Sequence, residues 1–145
     1  YIEQLYLFGN PDKKLGKRVV TSTYLLLIST GNLKTNTKTE LKWFPVKKLP
    51  ELAFDNKEII QYANTRLKNA AKHSTVATRL LPKQFTLSEL QKANEIILQR
   101  TLNKRNFRTK ILSLNLLKPT KKKLTGAHRP AALYELKERR PSFSE

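Results

Sequence analysis

Apolar and polar residues alternate from Ile2 to Phe8, with Ile2, Gln4, Tyr6 and Phe8 set against Glu3, Leu5 and Leu7, and this period of two predicts a strand. A polar turn follows from Gly9 to Lys17, with Asn10, Pro11, Asp12 and Gly16. Val19 to Ile28 is β-branched and then continuously apolar, as expected of a strand covered on both faces. Glu40 to Phe44 is a further short strand candidate, closed by Pro45. With only three strands and one helix to cover it, Val19 to Ile28 is expected to need another segment or chain, or to be disordered.

The period then changes to that of a helix. Asp55 can cap free amides, Glu58 stands three residues on, and Ile59, Ile60, Ala63 and Leu67 make one apolar stripe. Asn69 to Thr75 reads as a connector. Thr86 and Glu89 form a second capping box ahead of Leu90, Ala93, Ile97 and Leu98, predicting a helix that ends near Gln99. Arg100 to Leu102 is the expected turn, and Asn103 the cap of a third helix running to about Leu114. Two helices joined by so short a turn predict a helix-turn-helix. Leu116 to Lys118 begins a strand, Pro119 to Ala127 supplies a loop, and Arg129 to Leu136 returns. Together these predict a wing hairpin.

Charge changes this picture from a fold to a function. The 145 residues carry 29 Lys+Arg against 11 Asp+Glu, a formal net charge of +18, which attracts a polyanion. Cut after Ala70, the first part has 12 basic and 6 acidic residues and the second 17 and 5. Ten Lys/Arg lie between Glu95 and Glu135 with no acid among them. The domain expectation is therefore 1–70 and 71–140. Cys is absent, which excludes disulfides and thiolate chemistry and fits a cytoplasmic location. The longest apolar run, Tyr24 to Ile28, is too short to span a bilayer. Met is also absent, and the chain opens at Tyr1 inside an alternating strand, so an upstream portion is expected.

In the third helix Phe107, Ile111 and Leu114 share one face, which at ~100° per residue turns Arg105 and Thr109 outward, with Arg108 and Asn106 on the flanks. Arg binds guanine O6 and N7 bidentately, and Asn binds adenine N6 and N7, so this face suits a major groove. The candidate DNA-binding residues are Asn103, Lys104, Arg105, Asn106, Arg108 and Thr109 from the helix. Lys121, Lys122 and Lys123 join them as phosphate contacts at the hairpin tip, followed by His128 and Arg129. His128 is placed to touch phosphate or the minor groove, or to make a local turn contact. His73, with no carboxylate or Cys at ligand spacing, reads as solvated. No metal site, cofactor or catalytic residue is expected.

These residues resemble a known family. Phe85-Thr-Leu-Ser-Glu-Leu-Gln91, Asn103-Lys-Arg-Asn-Phe-Arg108 and Thr125-Gly-Ala-His-Arg-Pro-Ala131 with Leu133-Tyr134 look like the winged-helix domain of the Nudix-related transcriptional regulators. Glu3-Gln-Leu-Tyr6, Phe8-Gly-Asn-Pro-Asp12, Trp43-Phe-Pro45 and Leu49-Pro-Glu-Leu-Ala-Phe-Asp55 look like the C-terminal part of that family's Nudix domain. The resemblance implies an α+β chain: a partial Nudix β-sheet with one helix, then a winged helix-turn-helix. It further implies a bacterial repressor of double-stranded DNA, a homodimer responsive to a nucleotide sugar such as ADP-ribose. The Gly-x5-Glu-x7-Arg-Glu-x2-Glu-Glu-x-Gly signature, whose glutamates hold catalytic metals in Nudix hydrolases, has no counterpart in this sequence. In the family's order it would precede Tyr1. Asn56 stands where relatives commonly have His, so the effector-binding residues are not identified. The competing expectations are a Nudix-type hydrolase of nucleoside diphosphate compounds with its catalytic box upstream, and a basic RNA-binding protein, which the scarcity of aromatics in the basic stretch disfavours.

Overall fold

A computed structural model describes residues 2–9, 19–28, 42–124 and 130–137. The chain divides into two compact units, Tyr1–Arg66 and Leu67–Glu145.

In the first unit β1 (Ile2–Phe8) and β2 (Thr21–Leu26) pair antiparallel, from Ile2 opposite Leu26 to Phe8 opposite Thr21. Gln4 faces Tyr24 but Tyr6 faces Thr23, so Leu5 is an extra residue in the ladder. An extra residue reverses which face later side chains occupy, and Glu3 and Leu5 are half-buried before it, Phe8 after it. The simple alternation expected over β1 therefore breaks at Leu5. Thr23 Oγ1 donates to Tyr6 O at 2.9 Å, beside the irregularity.

Two strand expectations fail here. Val19 to Ile28 is not covered on both faces: Thr23, Leu25 and Leu27 are half-buried, whereas Val19, Tyr24 and Leu26 are exposed. Among the described residues β2 has β1 as its one strand partner, and the alternation of half-buried and exposed residues leaves one of its faces open. The described part of the Glu40 to Phe44 segment, from Lys42 on, is irregular and ends in a turn closed by Lys48 N donating to Pro45 O at 2.8 Å. No described strand lies beside it to complete a ladder.

α1 (Asn56–His73) starts where Asp55 was expected to cap it. Ile59, Ile60, Ala63 and Leu67 are all half-buried, as the stripe predicts. The helix does not stop at Asn69. Ala70 and Ala71 are strong helix formers, Ala71 is buried, and the helix runs four residues further, to His73, before Ser74 N and Oγ both donate to Ala70 O. Tyr6, Phe8 and Tyr62 form an aromatic cluster with centroids 5.3 to 5.7 Å apart.

The second unit has a core of its own. A 3-10 helix at Val76–Leu80 buries Val76, Ala77 and Thr78, and α2 (Leu87–Leu98) buries Leu87, Leu90, Ala93, Asn94 and Ile97. α3 (Lys104–Ser113) contributes Ile111. A three-stranded sheet has the order β3-β5-β4, from β3 (Phe85–Thr86), β4 (Leu117–Leu124) and β5 (Ala131–Leu136). Phe85 pairs with Tyr134, so the residue just ahead of the α2 cap also anchors the sheet. Phe85 and Leu90 are the largest fully buried side chains.

The wing differs from expectation. β4 continues through Pro119 to Leu124, so Lys121, Lys122 and Lys123 lie on a strand and not at a hairpin tip. Pro119 faces Tyr134 and Lys123 faces Ala132, which leaves β4 two residues in excess. A proline lacks the N–H a ladder needs but is tolerated at an edge or bulge, and β4 is an edge strand with its irregularity beginning at Pro119. His128 and Arg129 lie outside the described residues.

Candidate nucleic-acid interface

Local chemistry sets the helix that presents this interface. Thr86 N donates to Glu89 Oε2 at 2.7 Å, and Glu89 N donates to Thr86 Oγ1 at 3.2 Å, so the capping box is closed in both directions. α2 ends at Gln99, which adopts a left-handed conformation with φ 56°. Asn103 Oδ1 then accepts from Asn106 N at 3.0 Å and starts α3.

The turn between the helices is held by side chains that the sequence reading passed over. Leu102 N donates to Glu95 Oε1 at 2.8 Å. Gln91 Nε2 donates to the same carboxylate and to Leu102 O, both at 3.0 Å. Leu102 is thus gripped on both its backbone polar atoms, its N–H and its carbonyl. Its N–H holds the Glu95 carboxyl below the usual carboxylate range, Gln91 adds to the effect, and desolvation opposes it. The i, i+4 spacing of Gln91 and Glu95 was the available signal; its target eleven residues along from Gln91 was not.

α3 places three kinds of residue. Ile111 is buried and Phe107 and Leu114 are half-buried, while Lys104, Arg105, Asn106, Arg108 and Thr109 are exposed. Asn103 uses its Oδ1 for the cap, which leaves its Nδ2 to donate outward. Thr109 Oγ1 donates to Arg105 O at 3.1 Å, so the hydroxyl keeps only acceptor capacity. Among the described residues no acidic side chain pairs with Lys104, Arg105 or Arg108.

On one flank Lys104 and Arg108 border a cavity of about 730 Å³, together with Thr86 to Ser88 and Tyr134. The positive end of the α2 dipole and its free amides open on the same space, an arrangement that attracts anions. On the wing, Lys118 forms a 3.0 Å ion pair with Glu135, directly opposite it. That contact holds the Glu135 carboxyl below its usual range, with desolvation opposing and Lys83 and Gln84 assisting. Lys121 and Lys122 are exposed, and Lys123 follows them in the strand. The two glutamates that bound the acid-free stretch are therefore both engaged, one in the turn and one on Lys118.

Among the described residues no group of three or more His, Cys, Asp or Glu is placed to hold a metal ion, and no helix is long and apolar enough to cross a membrane.

Residues 77–136 match the family of the NrtR DNA-binding winged helix domain, so the resemblance to the Nudix-related regulators and the α+β, winged-helix fold both hold. The chain is 30% identical over 138 residues to a protein of Acinetobacter baylyi named as an ADPR responsive transcriptional repressor; the match covers 92% of this chain and 55% of that protein. It is similar to the crystal structure of Shewanella oneidensis NrtR, with TM-score 0.77 and 36% identity over 94% of this chain and 64% of that one. The Shewanella protein complexed with a 27mer DNA matches with TM-score 0.77 and 34% identity over the same shares. A MutT/nudix family protein from Enterococcus faecalis shares the fold, with TM-score 0.66 and 24% identity over 94% of this chain and 62% of that one. The chain spans about half the length of the curated relative and under two thirds of each solved chain.

Proposed function

Proceeding from a winged helix of the NrtR DNA-binding type, we propose that this chain is the operator-binding portion of a cytoplasmic, homodimeric transcriptional repressor. The observation that carries the reading is the exposed α3 face, where Arg105 and Arg108 meet no acid among the described residues and follow a turn gripped by Gln91 and Glu95. Arg105 and Asn106 read base edges from that face, and Thr109 accepts from an exocyclic amine. Arg108 reads a base edge beside them, and Lys104 holds a phosphate against the start of α2. Asn103 Nδ2 donates to the backbone, and Lys121, Lys122 and Lys123 track phosphates along the wing, with His128 and Arg129 beyond.

The first unit is the C-terminal portion of a Nudix-like domain, with the division between domains near residue 70. Its effector is a nucleotide sugar, ADP-ribose being the one in the name of the Acinetobacter relative. The chain itself acts without catalysis. Turnover of ADP-ribose with magnesium by the parent protein would replace this reading with that of a hydrolase carrying a basic accessory domain.

The test compares an operator duplex, selected from a random library, with unselected DNA. A bidentate guanine contact contributes roughly 1–3 kcal/mol of discrimination, so Arg105→Ala with Arg108→Ala is expected to lower operator affinity tenfold or more and leave unselected DNA within a few-fold. Equal loss on both duplexes removes base readout. Lys121→Ala with Lys122→Ala is expected to weaken both duplexes alike and to flatten the salt dependence by about one unit per phosphate lost.

A further inference from the structure

The second unit contains a further cavity, bordered on one side by Asn103 and Asn106 of the DNA-reading helix. It measures about 340 Å³ and lies behind the helix-turn-helix turn, between the end of α1, α2 and α3. Leu98, Leu102, Phe107 and Ile111 supply apolar walls. Small-molecule sites are typically clefts of roughly 300–1,000 Å³ with apolar linings and a few placed polar groups, and this cavity has both.

Its polar group is Asn94. The residue is only 4% exposed and lines the cavity. Its Nδ2 donates to Leu90 O at 2.9 Å, and among the described residues no donor reaches its Oδ1. Every fully buried side-chain N or O atom that is described has a partner, so the unpartnered Oδ1 keeps some accessible surface, on a residue that lines the cavity. An acceptor on so buried a side chain favours an occupant with an N–H or O–H. Charge selects further: Lys72, Arg100 and Lys110 border the cavity, all three exposed, and no acidic residue lines it.

We propose that this cavity is a binding site for a small aromatic carboxylate bearing a ring N–H, the ring between α2 and α3, the N–H on Asn94 Oδ1 and the carboxylate among Lys72, Arg100 and Lys110. The site stands whether or not α3 reads DNA, because occupancy is measured with no nucleic acid present.

The probe is indole-3-acetate, titrated into the 145-residue chain by calorimetry and by amide NMR. Naphthalene-1-acetate keeps the charge and loses the N–H, and tryptamine keeps the ring and N–H and reverses the charge. Indole-3-acetate is expected to bind and to shift the Asn94 side-chain amide signals, with naphthalene-1-acetate about tenfold weaker and tryptamine not binding. Leu98→Trp, which fills the cavity, is expected to abolish binding. Tryptamine binding as tightly as indole-3-acetate, or Asn94 signals unmoved at saturation, overturns the proposal. The NMR readout on the unsubstituted chain decides the question even where Leu98→Trp fails to fold.

Discussion

The two units of this chain bury their residues differently. Every described residue that is fully buried belongs to the second unit, from Ala71 to Leu117. In the first unit the described residues include Ile2, Val19, Tyr24, Trp43 and Phe54 in the exposed class, and none is buried. Both units have amphipathic elements of the right period. What separates them is closure: in the second, helices and a sheet cover each other's apolar faces, which is what a domain core requires. An apolar pattern in a sequence reports that a face wants cover, not that cover is present.

The largest effect should come from that core. Leu90→Ala removes a side chain with no exposed surface and is expected to cost about 2–5 kcal/mol in urea unfolding. Trp43→Ala, at a residue 73% exposed, is expected to stay within about 0.5 kcal/mol. Similar losses at both positions would erase the contrast between the units.

Next is the turn. Folding depresses the Glu95 carboxyl, so its contribution is complete above the ordinary value of 4.5 and lost as pH falls through the depressed folded value. Acid unfolding of the second unit should therefore be flat down to about pH 4.5 and decline from there to the depressed folded value. Glu95→Gln should be less stable at neutral pH and show a shallower acid decline; an unchanged profile would remove the carboxylate from the account of the turn.

A smaller loss, about 1 kcal/mol, is expected for Thr86→Ala, which opens the capping box and reads as a lower melting temperature. The smallest change has the opposite sign. Gln99 sits at φ 56°, a region that disfavours any residue with a Cβ, so Gln99→Gly is expected to gain roughly 0.5 kcal/mol. A loss would show that the 3.4 Å contact from Lys68 Nζ to the Gln99 side chain outweighs the backbone.

Where the determinants are local, the sequence was legible. Thr86 with Glu89, and Asn103 with Asn106, fix the starts of α2 and α3 within four residues of chain. The exposure of Arg105 and Arg108 follows from the period of Phe107 and Ile111. Illegibility begins where a residue's partner is distant. Phe85 reads as the residue before a cap, and only Tyr134, forty-nine positions on, makes it part of a sheet. The grip on Leu102 needs two side chains of the preceding helix to converge on the backbone of one residue. Pro119 reads as a break because proline usually ends a ladder; the two-residue excess that accommodates it becomes visible only once β5 is in place. His73 closes α1 instead of lying in a connector, since alanine propensity and burial of Ala71 outvote the polar residues around it.

Pro119 and its excess residues also bear on how copies of this molecule meet. β4 forms the outer border of its sheet, and such a border ordinarily recruits strands from other molecules into aggregates. Here the border has its register interrupted after Pro119, lacks one donor and carries adjacent lysines, features that oppose edge-to-edge pairing with a neighbouring molecule.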